Sequence, residues 1–161
     1  MSDEHYWFFL YSLRLENSQQ QLFTRIGVMA GETSLNTLLR SMSPQLNAGE
    51  YVFCTLKDGQ VPQGCDIIGS FREHEGLTLI LERSQAEKTG LSYDYVAAWI
   101  TLNVHSALQA VGLTAAFATA LGQAGISCNV IAGYYHDHLF VGQADAERAL
   151  SVLRQLAANA E

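Results

Sequence analysis

The apolar positions of this chain change period several times, and each change marks an element. The densest run of changes lies between Trp99 and Gly142. Residues 96–104 are β-prone, with Ile100, Leu102 and Val104 on one face of an extended strand. After a connection at 105–110 the period lengthens. Phe117, Ala120, Leu121 and Ala124 recur at helical spacing, from a start at Thr114 with Leu113 as a staple residue to a stop at Gly125. Residues 126–132 and 139–141 read as two more strands around a 133–138 connection. Ala146, Leu150, Leu153 and Ala157 give residues 145–158 the stripe of a last helix. The turn 111–114 is where this β-α-β-β-α unit would dock a small ligand.

The first half carries the same vocabulary. Leu35, Leu38, Leu39 and Met42 share a helical face, Thr33 or Ser34 can cap it, and Ser43-Pro44 ends it. Residues 51–56, 67–72 and 77–82 read as strands, the last two joined through Glu73-His74-Glu75-Gly76. Residues 84–90 read as a short helix with Ser84 as N-cap, Glu87 completing a capping box and Gly90 closing it. The pattern divides the chain into a 1–28 extension, a 29–92 module and a 93–161 module. The second module lacks the closing strand that a split βαβ fold needs. That strand has to come from the first half or from another chain, so the two halves are expected to be inseparable.

The extension is set apart by composition. It carries the aromatic cluster Tyr6-Trp7-Phe8-Phe9-Leu10-Tyr11 and a polar stretch over 16–21. It reads as an edge strand, as a loosely held terminus, or as residues upstream of a true start at Met29.

With 161 residues the chain can bury one sizeable core or two small ones that share it. Apolar residues make up 48% and charged residues 16%, which leaves little polar cover and points to an oligomer interface, with a homodimer as the expected assembly. The net charge of -7, with no run of Lys or Arg, argues against nucleic acid as a partner. No apolar stretch approaches the roughly 20 residues of a membrane span, so no membrane partner is expected. The three cysteines, Cys54, Cys65 and Cys128, form no CxxC pair and read as free thiols of a cytoplasmic protein.

Several segments resemble a known family. Ser70-Phe71-Arg72-Glu73-His74-Glu75-Gly76-Leu77-Thr78-Leu79-Ile80 is similar to the FREEEGLTL segment of the small bacterial tandem ACT-domain proteins. Met29-Ala30-Gly31-Glu32-Thr33 is similar to their start. Their second domain is matched by Val104-His105-Ser106, Ala110-Val111-Gly112-Leu113-Thr114-Ala115-Ala116, Cys128-Asn129-Val130-Ile131-Ala132-Gly133 and His136-Asp137-His138-Leu139-Phe140-Val141. The resemblance covers roughly residues 29–156. It implies an α+β fold of two tandem ferredoxin-like modules, antiparallel sheets with helices on one face. It also implies a regulatory protein that binds a small-molecule effector, an amino acid by family habit, and needs no cofactor.

In ACT modules the effector sits between the first strand-to-helix turn and the neighbouring second strand. Carried over by motif, the turn gives Gly112, Leu113 and Thr114, and the strand gives Asn129, Val130 and Ile131. Gly112 lets backbone amides approach a ligand, and the start of a helix suits a carboxylate. Asn129 offers a donor and an acceptor. Each also has a purely structural alternative: Gly112 closes the turn, Thr114 caps, Asn129 bonds a nearby loop. A competing reading gathers His105, His136 and His138 as a three-histidine metal site, in a metal-binding protein or small metal-dependent enzyme. Glu73, His74 and Glu75 would be the acid–base groups of an enzyme, but read better as a solvated hairpin. Tyr134 and Tyr135 could lid a pocket. No nucleophile elbow or phosphate loop is present, so no enzyme is expected. A third reading is an interaction module without a ligand.

Overall fold

The computed structural model describes residues 34–104 and 110–160. The readings made for the extension therefore lie outside the described residues. So does His105. The described residues belong to one compact unit, 32–161.

Among the described residues seven strands form one antiparallel sheet. They are β1 (Ser43–Leu46), β2 (Tyr51–Leu56), β3 (Ile67–Arg72), β4 (Leu77–Glu82), β5 (Val96–Asn103), β6 (Cys128–Ala132) and β7 (Asp137–Gly142). The order across the sheet is β3-β4-β2-β5-β7-β6, and β1 pairs with β5 off this path. The helices are α1 (Leu35–Ser41), α2 (Arg83–Thr89), α3 (Leu113–Gln123) and α4 (Ala146–Ala158).

Strand β5 explains how two modules become one sheet. Its far end pairs with β1, from Ser43 opposite Asn103 to Leu46 opposite Ile100. Its near end pairs with β2, Tyr51 opposite Ala97 and Val52 opposite Val96. So β1 and β2 run one after the other along the same edge of β5. The chain between them bulges, and Asn47 pins the bulge. Its backbone N–H donates to the Trp99 carbonyl at 2.8 Å, and its side-chain amide donates to Thr101 Oγ1 at 2.9 Å. The closing strand missing from the second half is thus β1, supplied by the first half of the same chain. The first module in turn closes on β5. Each module borrows its last strand from the other.

Alternation along the strands sorts the side chains onto two faces. Ala98, Ile100, Leu102, Leu139 and Val141 face α1, α3 and α4, where Leu38, Phe117, Leu121, Leu150 and Leu153 complete the larger core. Val52, Cys54, Leu79 and Leu81 face α2 through Ala86. The opposite face carries Tyr51, Phe53, Ile80, Ala97, Trp99 and Phe140 with no helix over them among the described elements. The helices therefore lie on one face.

Several local expectations shift. Helix α2 begins at Arg83, with Glu82 at the N-cap, so Ser84 lies inside it and no capping box forms. Glu87 instead accepts hydrogen bonds from Arg83 Nε at 2.8 Å and the Tyr93 hydroxyl at 2.9 Å, because its side chain leans toward the chain that follows the helix. Helix α3 begins at Leu113, one residue early, with Gly112 as N-cap. Leu113, Phe117 and Leu121 are its buried residues, whereas Ala120 and Ala124 are only partly covered. Helix α4 starts at Ala146 after a 3-10 turn at Gln143–Asp145. In the first module no helix stands between β2 and β3. Residues 57–66 connect them as turns and extended chain.

Candidate functional site

Three places deserve weighing from the residues upward. The first is the turn into α3. Gly112 adopts φ +101°, a left-handed conformation that side chains rarely take. The space where a Cβ would project is already filled: Leu35 Cδ2 of α1 would stand 3.1 Å away. Leu113 is 3% exposed and belongs to the core. Thr114 is exposed. The turn therefore docks α3 against α1, with an apolar filling on the Leu35 side.

The second place is a cleft of about 750 Å³ between the modules. Asn129, Val130 and Ile131 of β6 form one wall, with Cys128 beside them. Phe53 and Thr55 of β2, Gly69, Ser70 and Phe71 of β3, and Thr78 and Ile80 of β4 form the other. Ser92 and Asp94, on the approach to β5, and Glu73, on the β3–β4 hairpin, complete it. Strand register explains the grouping. Asn129 stands opposite Phe140 and Ile131 opposite His138, so both point to the helix-free face. Phe71 stands opposite Thr78 on the same face at the other edge of the sheet. Phe71 is 70% exposed and Ile131 38%, an apolar lining left open to solvent. Among the described strands β6 is a sheet edge, so it also has backbone N–H and C=O groups that β7 does not use. The three strand residues expected from the sequence line this cleft. Gly112, Leu113 and Thr114 do not.

The third place is the histidine pair. Trp99 Nε1–H donates to His138 Nδ1 at 3.1 Å, and Thr101 Oγ1 lies 3.3 Å from the same nitrogen. His136 Nδ1 lies 3.5 Å from the Val104 carbonyl. Among the described residues no three His, Cys, Asp or Glu side chains gather in a metal-binding group. Burial, and then the neighbouring His136, lower the pKa of His138. Burial raises that of Asp137, which is 7% exposed, against the opposing pull of both histidines.

Reactive groups are muted. Burial pushes the Cys128 thiol up to about 11 and also raises that of Cys54, so neither is a thiolate near neutrality. Glu73, His74 and Glu75 are all exposed on a hairpin, and Glu73 accepts a hydrogen bond from the Thr78 hydroxyl. Arg83 is spent on structure, bonded to Glu50, Glu87 and Tyr93. Tyr134 and Tyr135 are exposed and meet edge to face at 4.9 Å, but neither lines the cleft.

The first-module wall escaped the sequence reading. Its signal was the alternation of Tyr51, Phe53 and Thr55 against Val52 and Cys54. That alternation sorts two faces without saying which one the helices leave open.

Comparison with known proteins supplies the context for this geometry. Two ACT-domain profiles match the chain, one over residues 30–98 and one over 95–155. No curated protein matches. Among solved structures, VC0802 from Vibrio cholerae, described as a protein of unknown function and possible transport protein, is 52% identical. The match covers 79% of this chain and 98% of that one, with a TM-score of 0.68. The regulatory subunit of aspartate kinase from Thermus thermophilus is 9% identical, covered over 70% of this chain and 95% of that one, with a TM-score of 0.54. Aspartokinase III from E. coli is 10% identical, covered over 73% and 33%, with a TM-score of 0.57. These last two share the fold. The ACT domain is a regulatory module, and this chain carries two in tandem: it belongs to the ACT-domain family.

Proposed function

We propose that this protein is a regulatory binder of a small effector of amino-acid size, held in the cleft between its two modules and acting without catalysis. The observation that carries this reading is the cleft itself. Its 750 Å³ falls in the range of small-molecule sites, and it mixes apolar walls with a few polar groups. Asn129, Val130 and Ile131 are the proposed contacts from the second module. Phe53, Phe71 and Ile80 are the apolar contacts from the first. Because both modules build one cleft, the expected stoichiometry is one ligand per chain. Output goes through a homodimer or a protein partner in the cytoplasm, and requires that the effector bind one arrangement better than another.

A second reading has one observation behind it. Leu35 fills the crevice beside Gly112, as an interaction module without a ligand at that turn would have it.

The test is thermal unfolding of the full chain with each standard amino acid at millimolar concentration. An effector at 100 times its Kd stabilises by about 2.7 kcal/mol, a readily measured rise in Tm. One or a few amino acids are expected to raise Tm, and Ile131→Arg, which puts a long side chain into the cleft from an exposed position, is expected to abolish the rise. No shift from any amino acid overturns the effector reading in favour of the interaction module.

A further inference from the structure

The charge of the cleft narrows what it can hold. Its lining includes two carboxylates, Glu73 and Asp94, and no Lys, Arg or His. Neither carboxylate takes part in any of the ion pairs among the described residues, which join Arg83 to Glu50 and Glu87, and Arg148 to Asp145. Asp94 accepts no hydrogen bond there either. Glu73 is aimed rather than loose. The Thr78 hydroxyl donates to its Oε1, and its backbone N–H donates to the Gly76 carbonyl at 2.8 Å. The aromatic rings of Phe53 and Phe71 lie in the same lining, beside Ile80 and Ile131.

A cleft of this kind repels an anionic side chain, because a concave wall carrying charge of one sign focuses its field inward. It attracts a cation, whose charge the carboxylates meet and whose methylenes the apolar walls cover. Aromatic faces add to that attraction. A ligand with an α-carboxylate still fits, since the Asn129 amide on the β6 wall supplies a donor. Resting on the effector reading above, we infer that this cleft selects a ligand bearing a protonated amine or guanidinium on an apolar stem, with Glu73 and Asp94 as the groups that read the charge.

The experiment is isothermal titration of the full chain with lysine, arginine, cadaverine, leucine and glutamate. It is done on the natural sequence, on Ile131→Arg, and on the double variant Glu73→Gln with Asp94→Asn. Both positions are exposed, and glutamine keeps an acceptor for Thr78, so the double variant is expected to keep its Tm. Cationic ligands are expected to bind, and the double variant to weaken them roughly tenfold or more while flattening their salt dependence. Lysine without cadaverine identifies an amino acid as the source, and both together identify an amine. Cation binding that the double variant leaves unchanged overturns the inference. Leucine or glutamate binding in place of the cations, sensitive to Ile131→Arg, overturns the charge inference and keeps the effector reading. Silence from every probe, after silence from the amino-acid panel, overturns both.

Discussion

At the scale of single residues, two positions tie the candidate site to the fold. Gly76 turns the β3–β4 hairpin that carries Glu73. A Cβ there would stand 2.6 Å from the Leu56 carbonyl oxygen, closer than atoms can approach. Backbone must shift to admit alanine, and the cost of such overpacking is typically about 1–3 kcal/mol. Gly76→Ala is therefore expected to lower the unfolding free energy read from urea titration by that amount and to loosen the Glu73 side of the cleft. His138 makes a different point. Its Nδ1 accepts the Trp99 indole N–H, so that nitrogen carries no proton in the folded chain. Burial also lowers its pKa. The unfolded chain then takes up a proton before the folded one does. Stability is lost as pH falls from the ordinary histidine value of about 6.5 toward the lowered folded value. Urea midpoints measured from neutral to mildly acid pH are expected to fall across that window, and His138→Gln is expected to flatten the fall. An unchanged slope in that variant would place the titrating group elsewhere.

At the scale of elements, the decisive pair is α1 with β1. Helix α1 gives Leu38 and Leu39 to the larger core, with Met42 just past its end, and β1 closes the second module along β5. A fragment spanning 93–161 keeps α3, α4 and three strands but loses both. It exposes the β5 edge and the apolar patch under α1, and a bare edge of that kind recruits another chain. The fragment is expected to run as an unfolded or self-associated species on size exclusion, with weakened helical circular dichroism. A stable monomer would show that the borrowed strand is dispensable. The first module has the complementary gap, with turns at 57–66 where the second has α3. The helix start at Gly112 therefore has no counterpart there.

At the scale of the whole molecule, the exchange of strands predicts one folding unit. Strand β5 pairs with β1, β2 and β7, so neither module can open without breaking bonds of the other. Leu81→Ala in the smaller core and Leu153→Ala in the larger one are each expected to cost about 2–5 kcal/mol. Both are expected to move the same single transition, coincident by circular dichroism and tryptophan fluorescence. Two separate transitions, each sensitive to one variant, would mean that the modules fold independently. The same coupling would give the proposed effector its leverage. A ligand touching β2–β4 on one side and β6 on the other bears on both modules at once.

Much of this protein was legible in the sequence, because periodicity is a local property. Every described strand and helix except β1 corresponds to a run marked by its spacing, its composition or its capping residues, and the apolar stripe of α4 was readable residue by residue. The four residues of β1 include Pro44 and carry no alternation of their own, so only their pairing with β5 makes them a strand. The want of a closing strand could be deduced from the count of elements, whereas its source could not. The site divides the same way. Asn129, Val130 and Ile131 were marked by resemblance and do line a cleft. Their partners Phe53, Phe71, Glu73 and Asp94 come from segments far away in the chain. Nothing local in those segments records which face the helices cover or which strands the sheet brings near. The sequence by itself determined the described elements other than β1, and the family. The tertiary structure decided the exchange of strands, the open face and the opposite wall, because pairing and burial depend on residues that spacing along the chain does not relate.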